Sequence, residues 1–124
     1  MNVVDSCGWI EYFWDKPGAD FFTSPIQDTP NLIVPVICLY EVYKYMLTYT
    51  GKESAVEAIA IMHQGTVIEM DERIAIQAAI FSHDMKLPMA DSIILATSRI
   101  YKATLYTQDK DFENIPGIKY QKKI

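Results

Sequence analysis

Four acids stand where apolar runs end or helices begin: Asp5, Glu41, Asp91 and Asp109. Asp5 closes the opening run of Met1 to Val4, and Asp109 lies two residues beyond Thr107, the end of the run Ala103 to Thr107. Glu41 falls in the second turn of a helix expected after Pro35, and Asp91 in the first turn of one expected after Pro88. Each has a plainer explanation when taken alone. Asp5 can cap a helix, Asp91 can complement a helix dipole, and Asp109 sits in the turn-like stretch Gln-Asp-Lys-Asp. Glu41 shares a stripe with Lys44 and Thr48 and can belong to a solvated face. Their joint placement at one edge is the stronger signal, and it requires the first and fourth strands to be neighbours.

Convergence has a chemical consequence. Two carboxylates about 5 Å apart repel by roughly 3 kcal/mol at an effective dielectric of about 20. Four in one pocket would cost as much as a domain's whole stability of about 5–15 kcal/mol. A divalent cation or a proton must relieve the strain. Carboxylate oxygens suit Mg²⁺ or Mn²⁺. Two such ions about 3.5–4 Å apart activate a water and stabilise the leaving oxygen of a phosphodiester. The chemistry these residues best support is metal-assisted phosphodiester hydrolysis.

The elements that must position them alternate. Apolar runs at residues 1–5, 31–34, 66–69, 103–107 and 118–121 read as strands. Helices are expected over about 6–14, 17–26, 36–50, 52–64, 72–83 and 90–102. Ser6 is expected as the first helix's N-cap and Asp71 as a later one, Pro17 in a first turn, Pro35 as the end of the second strand, and Gly51 and Gly65 as stops. Short apolar strands separated by helices imply a parallel sheet covered on both faces. Ligands in such sheets bind beyond the carboxyl ends of the strands, near a topological switch point.

Composition narrows the class. A chain of 124 residues and 14.2 kDa has room for one domain, residues 1–124. It is 50% hydrophobic and 22% charged, which excludes a disordered or collagen-like chain. No apolar run is long enough for a membrane span, and the N-terminus does not read as a signal peptide. Cys7 and Cys38 make no disulfide framework or metal-ligand spacing and read as small buried residues, with a reducing cytoplasm as the expected compartment. A net charge of −5 argues against broad counterion release on nucleic acid. It leaves room for an enzyme that meets phosphates through metal ions.

The order of the segments VVDSCGWIEYF, PVICLYEVYK, MADSIILATS and LYTQDKDF, over nearly the whole chain, resembles the PIN-domain family of metal-dependent ribonucleases, and especially the small VapC-type toxins. The resemblance implies a three-layer α/β/α sandwich with a parallel, roughly five-stranded sheet. It implies that Asp5, Glu41, Asp91 and Asp109 are catalytic and hold Mg²⁺ or Mn²⁺, with Ser6, Thr107 and Asp111 in support. It also implies an RNA substrate, a homodimer, and a small antitoxin whose tail enters the acidic groove. Cys7 departs from the pattern, since a small polar residue often stands there. The alternative is a catalytically inactive PIN-like module that binds a protein partner. An Asp-nucleophile phosphatase fits poorly, because Cys7 occupies the position where its pattern wants a second Asp, and a receiver fits poorly because it needs extra acids near the first strand and a Lys after the last.

Other residues carry weaker expectations. Lys44, Arg99 and Lys110 are expected to flank the site within reach of phosphates, and Lys119, Lys122 and Lys123 to form a solvated tail. The tyrosine-rich helix around Tyr40 to Tyr49 is expected in the core and a dimer interface, with base stacking as the functional alternative. Trp9, Tyr12, Phe13 and Trp14 can leave an apolar patch for a partner helix. His63 and His83 are expected near helix ends, without a catalytic role.

Overall fold

A computed structural model describes residues 1–124. The strands are β1 (Asn2–Val4), β2 (Ile33–Pro35), β3 (Thr66–Ile68), β4 (Thr104–Thr107) and β5 (Ile118–Tyr120). The helices are α1 (Ser6–Phe13), α2 (Ala19–Gln27), α3 (Val36–Tyr49), α4 (Lys52–Met62), α5 (Glu72–Met85) and α6 (Met89–Ile100). Short 3₁₀ turns occupy Thr29–Asn31 and Lys110–Phe112.

All paired strands run parallel. β1 pairs with β4, Val3 opposite Leu105 and Val4 opposite Tyr106, and β4 pairs with β5. β2 pairs with β3. A single parallel bridge from Asn2 to Leu32 joins the two groups. The resulting spatial order is β3-β2-β1-β4-β5. The five-stranded expectation therefore holds in strand number, but continuous pairing breaks between β1 and β2 into groups of three and two strands. The strand order reverses direction between β1 and β4, so the switch point lies there.

The layering follows from burial. Val3 and Val4 are both fully buried, as are Ile33 and Val34 to within 1%. Successive strand residues point to opposite faces, so both faces of the sheet are covered, as an α/β/α sandwich requires. One core of 19 buried residues includes Val3, Trp9, Phe22, Val34, Ile94 and Leu105, and a small satellite of Ile74, Ala78, Ile93 and Ala96 joins α5 to α6.

Several boundaries differ from expectation for local reasons. Asp5, not Ser6, caps α1: its side chain accepts the Ser6 N–H, and Ser6 is already helical. α2 begins after Pro17 and Gly18 rather than at the proline, and it carries Pro25 in its last turn. Asn31 belongs to the 3₁₀ turn, so β2 starts at Ile33. Asp71 caps α5 as expected, its Oδ1 accepting the Ile74 N–H at 2.9 Å. Gly51 closes α3 with φ +106°, a conformation that disfavours any side chain. No helix is long and apolar enough to cross a membrane.

Candidate metal centre

Asp5 sits at the carboxyl end of β1, its N–H bonded to Tyr106 O at 3.0 Å, so the pairing with β4 fixes its backbone. Its Oδ1 accepts the Ser6 N–H at 2.7 Å. Its Oδ2 accepts the Thr107 hydroxyl at 2.7 Å and the Cys7 thiol at 3.4 Å. The Thr107 Oγ1 in turn accepts the Asp109 N–H at 2.9 Å. One hydroxyl thus ties the acid of β1 to the acid beyond β4. Asp109 Oδ1 accepts the Asp111 N–H at 2.9 Å, which holds the turn that follows.

Asp91 is the third residue of α6, and the helix's N-terminus aims it at the same point. One carboxylate oxygen from each of Asp5, Asp91 and Asp109 lies within 4.8 Å of the others. Ionised, each pair at that distance repels by roughly 3 kcal/mol at an effective dielectric of about 20. The only side-chain ion pair in the chain is His83–Asp84, far out on α5, so no lysine or arginine answers these charges. Burial raises the Asp5 pKa from 3.8 to about 6, against the lowering effect of the Thr107 hydroxyl and with help from the Asp109 charge. Burial, and then the charges of Asp5 and Asp109, raise Asp91 to about 8.

The donor set fits a hard divalent cation. Three carboxylates offer oxygen only, as Mg²⁺ and Mn²⁺ prefer, and a cation would relieve the repulsion that otherwise holds protons on the site. Cys7 does not join as a ligand. It is half-buried rather than buried, and its thiol donates to Asp5. Burial, and then the Asp5 charge, push its pKa well up, so it stays a protonated donor. Cys38 is fully buried, as expected.

The expected fourth acid stands apart. Glu41 is outside the group of three, and its Oε1 instead accepts the Ser6 hydroxyl at 2.7 Å. Ser6 therefore links Glu41 to Asp5 through adjacent groups rather than placing the two carboxylates together. Glu41 makes no ion pair with Lys44, which is exposed and leans over the Tyr40 ring, 5.9 Å from its centroid. Asp111 is exposed and lends its backbone, not its carboxylate, to Asp109. Lys110 is exposed on the turn next to Asp109.

Arg99 is misplaced by the sequence reading. It lies eight residues beyond Asp91 on α6, about 12 Å along the axis. Its guanidinium donates to Pro116 O at 2.8 Å, ahead of β5 and so at the opposite end of the parallel sheet. It does not flank the acids.

Two buried polar side chains, Glu11 and Gln108, carry no signal in the sequence. Glu11 is only 2% exposed and accepts the Gly18 N–H at 2.9 Å. Gln108, 7% exposed, turns an unpartnered Oε1 into the same region. A Cβ at Gly18 would lie 2.7 Å from Glu11 Oε2 and 3.2 Å from Gln108 Oε1. Nothing in the stretch Trp-Ile-Glu-Tyr marks Glu11 as buried. Its cue is only that it follows Trp9 on a short helix with little solvent-facing surface.

Comparison with known proteins agrees with this geometry. No curated protein matches the chain. Among solved structures, a toxin–antitoxin complex from Klebsiella pneumoniae has a chain 24% identical to this one, covering 95% of each chain with a TM-score of 0.77. VapC20 of Mycobacterium tuberculosis, a toxin that cleaves the sarcin–ricin loop, is 18% identical over 96% of this chain and 98% of its own, with a TM-score of 0.78. A chain of DNA-bound VapBC from Salmonella typhimurium is 18% identical over 98% of both, also at 0.78. At these identities the likeness is one of fold. The family match is broader: residues 3–118 match the PIN domain, which takes in every helix, β2 to β4, most of β1, the first residue of β5 and all three clustered acids. The chain belongs to the PIN-domain family.

Proposed function

We propose that this chain is a Mg²⁺- or Mn²⁺-dependent endoribonuclease, acting as the toxin of a toxin–antitoxin pair in the cytoplasm. The observation that carries the reading is the convergence of Asp5, Asp91 and Asp109 at the switch-point edge, none of them in an ion pair with a lysine or arginine. These three hold the ion, and Glu41, kept at the margin by Ser6, adds a further acid. A bound divalent ion supplies Lewis-acid activation and neutralises charge at the scissile phosphodiester. The chain's own part is positional. Thr107 and the Ser6 N–H hold both oxygens of Asp5, the α6 N-terminus presents Asp91, and the β4 pairing places Asp109. Single-stranded or looped RNA is the expected substrate, because splayed nucleotides can reach a recessed site.

Partners follow from the surface and from the neighbours, two of which are toxin–antitoxin assemblies. A groove of about 500 Å³ between α3 and α4, lined by Leu39, Tyr43, Leu47 and Ile59, suits an apolar antitoxin segment. Ile76 and Ile80, exposed one turn apart on α5, suit a homodimer contact.

The test is Asp5→Asn. Asn is a good helix N-cap, so α1 survives. The variant is expected to lose RNA cleavage by about 100-fold or more while keeping its fold, because a metal ligand is gone. A folded, Mn²⁺-loaded Asp5→Asn protein with full activity would refute the assignment.

A further inference from the structure

Three of the chain's 11 basic residues, Lys110, Lys122 and Lys123, line one groove of about 530 Å³ with Gln108, Tyr120 and a single acid, Glu113. Three lysines against one glutamate give this groove a local charge of +2 in a chain of net charge −5. Its position is fixed by the same residues that build the acidic centre. Gln108 and Lys110 flank Asp109 in sequence. Tyr120 pairs with Thr107 in the β4–β5 register, and the Gln121 N–H bonds to Thr107 O at 3.0 Å. The segment carrying Lys122 and Lys123 therefore leaves the sheet against the residue that joins Asp5 to Asp109. Lys122 and Lys123 are exposed, as expected of a solvated tail, and both line this groove. Gln108, buried, and Tyr120, half-buried, complete the lining.

We infer that this groove binds the RNA backbone flanking the scissile phosphodiester, with Lys110, Lys122 and Lys123 on successive phosphates and Tyr120 stacking on a base. The inference rests on the ribonuclease reading and adds a direction to it. The strand leaves the acidic centre across the carboxyl ends of β4 and β5, not across α3. On the α3 side Trp14, Tyr45 and Tyr49 pack on one another with centroids 4.6–6.2 Å apart, and that face offers one lysine, Lys44, against the three of this groove. A basic groove beside an acidic centre also accounts for RNA capture by an acidic protein, because the attraction is local and the repulsive acids take up the metal.

The test measures binding of a short fluorescein-labelled oligouridine by anisotropy in EDTA, where cleavage does not intervene. Three lysine–phosphate contacts predict a log Kd against log salt slope of magnitude about 2, at about 0.7 per contact on single strands. The double variant Lys122→Glu/Lys123→Glu is expected to bind at least ten times more weakly, with most of that slope gone, while its Mn²⁺ affinity and melting temperature stay unchanged. Lys122→Gln/Lys123→Gln should fall between. Tyr120→Ala should weaken binding about tenfold with the slope retained, because stacking is not ionic. Unchanged affinity and slope in the charge-reversed variant, in a chain that cuts RNA, overturn the groove and leave the nuclease. Binding through these lysines in a chain that cuts no RNA under any metal supports the groove and contradicts the nuclease. Capture of an oligoglutamate peptide in place of oligouridine, lost in the same variant, overturns the inference in favour of a protein partner.

Discussion

Thr107 does more with one hydroxyl than any other side chain near the acids. It donates to Asp5 and accepts from the Asp109 backbone, so the spacing of two of the three carboxylates runs through it. Thr107→Val keeps the shape and removes both bonds. Leaving a buried acceptor and donor unpaired costs about 1–3 kcal/mol. Groups that orient metal ligands cost about 10–100-fold in metal affinity when lost. Both effects are expected together, read by thermal melting and by Mn²⁺ titration. A melting drop with Mn²⁺ affinity intact would show that Thr107 only stabilises the fold. The acids themselves were legible because each stands at a strand end or a helix start, where the parallel sheet puts ligands. What was not legible was distance. Glu41 lies on the expected helix, but its carboxylate accepts the Ser6 hydroxyl and falls outside the group of three. Arg99 lies on Asp91's helix, but at the end that points away. A position on an element does not say which end of the element a side chain serves.

At the scale of elements, α1 is the piece whose placement the centre depends on most, since Asp5 is its N-cap and Ser6 its first residue. Its seat is tight. A Cβ at Gly8 would approach the Phe22 ring to 2.5 Å and Val4 Cγ1 to 2.8 Å. Gly8→Ala must therefore push α1 off α2 and β1. The expected cost is about 1–3 kcal/mol, as for other overpacked cores, with a loss of Mn²⁺ affinity because the cap moves too. Gly18→Ala tests the other side of the same helix. Its methyl would press on the buried Glu11 carboxylate, so a lower melting temperature is expected with Mn²⁺ binding less affected. Equal stability of either variant and the parent would show that the helix can shift at no cost. The strands and helices themselves were readable to within a few residues, because apolar runs and proline and glycine stops punctuate them. The weak joint between β1 and β2 was not, because one bridge and six ladder pairs look alike in composition.

Across the whole molecule, the acids make stability depend on pH and metal in a definite direction. Asp5 and Asp91 bind protons more tightly folded than unfolded, with pKa values of about 6 and about 8 against 3.8. Their favourable contribution is therefore fully present below the unfolded value. It is lost as pH rises through about 6 and then about 8. For Asp5 the shift amounts to on the order of 3 kcal/mol. In EDTA, the melting temperature relative to the Asp91→Asn variant is expected to fall as pH rises from 5 to 8, both being round values spanning about these titrations. Mn²⁺ should remove that fall, because the ion replaces the protons. A metal-free protein that gains stability over the same range, relative to the variant, would contradict the geometry of the cluster.

The most direct test of the central claim is cleavage of a mixed pool of structured RNAs by the purified chain, free of any antitoxin, with Mg²⁺ or Mn²⁺ and with EDTA, beside Asp91→Asn. The account predicts discrete cuts that need the metal and vanish in the variant, since Asp91 is one of the three acids whose oxygens lie within 4.8 Å of one another. Cutting that persists in EDTA or in Asp91→Asn, or no cutting by a folded protein that binds Mn²⁺ under any condition, would contradict it.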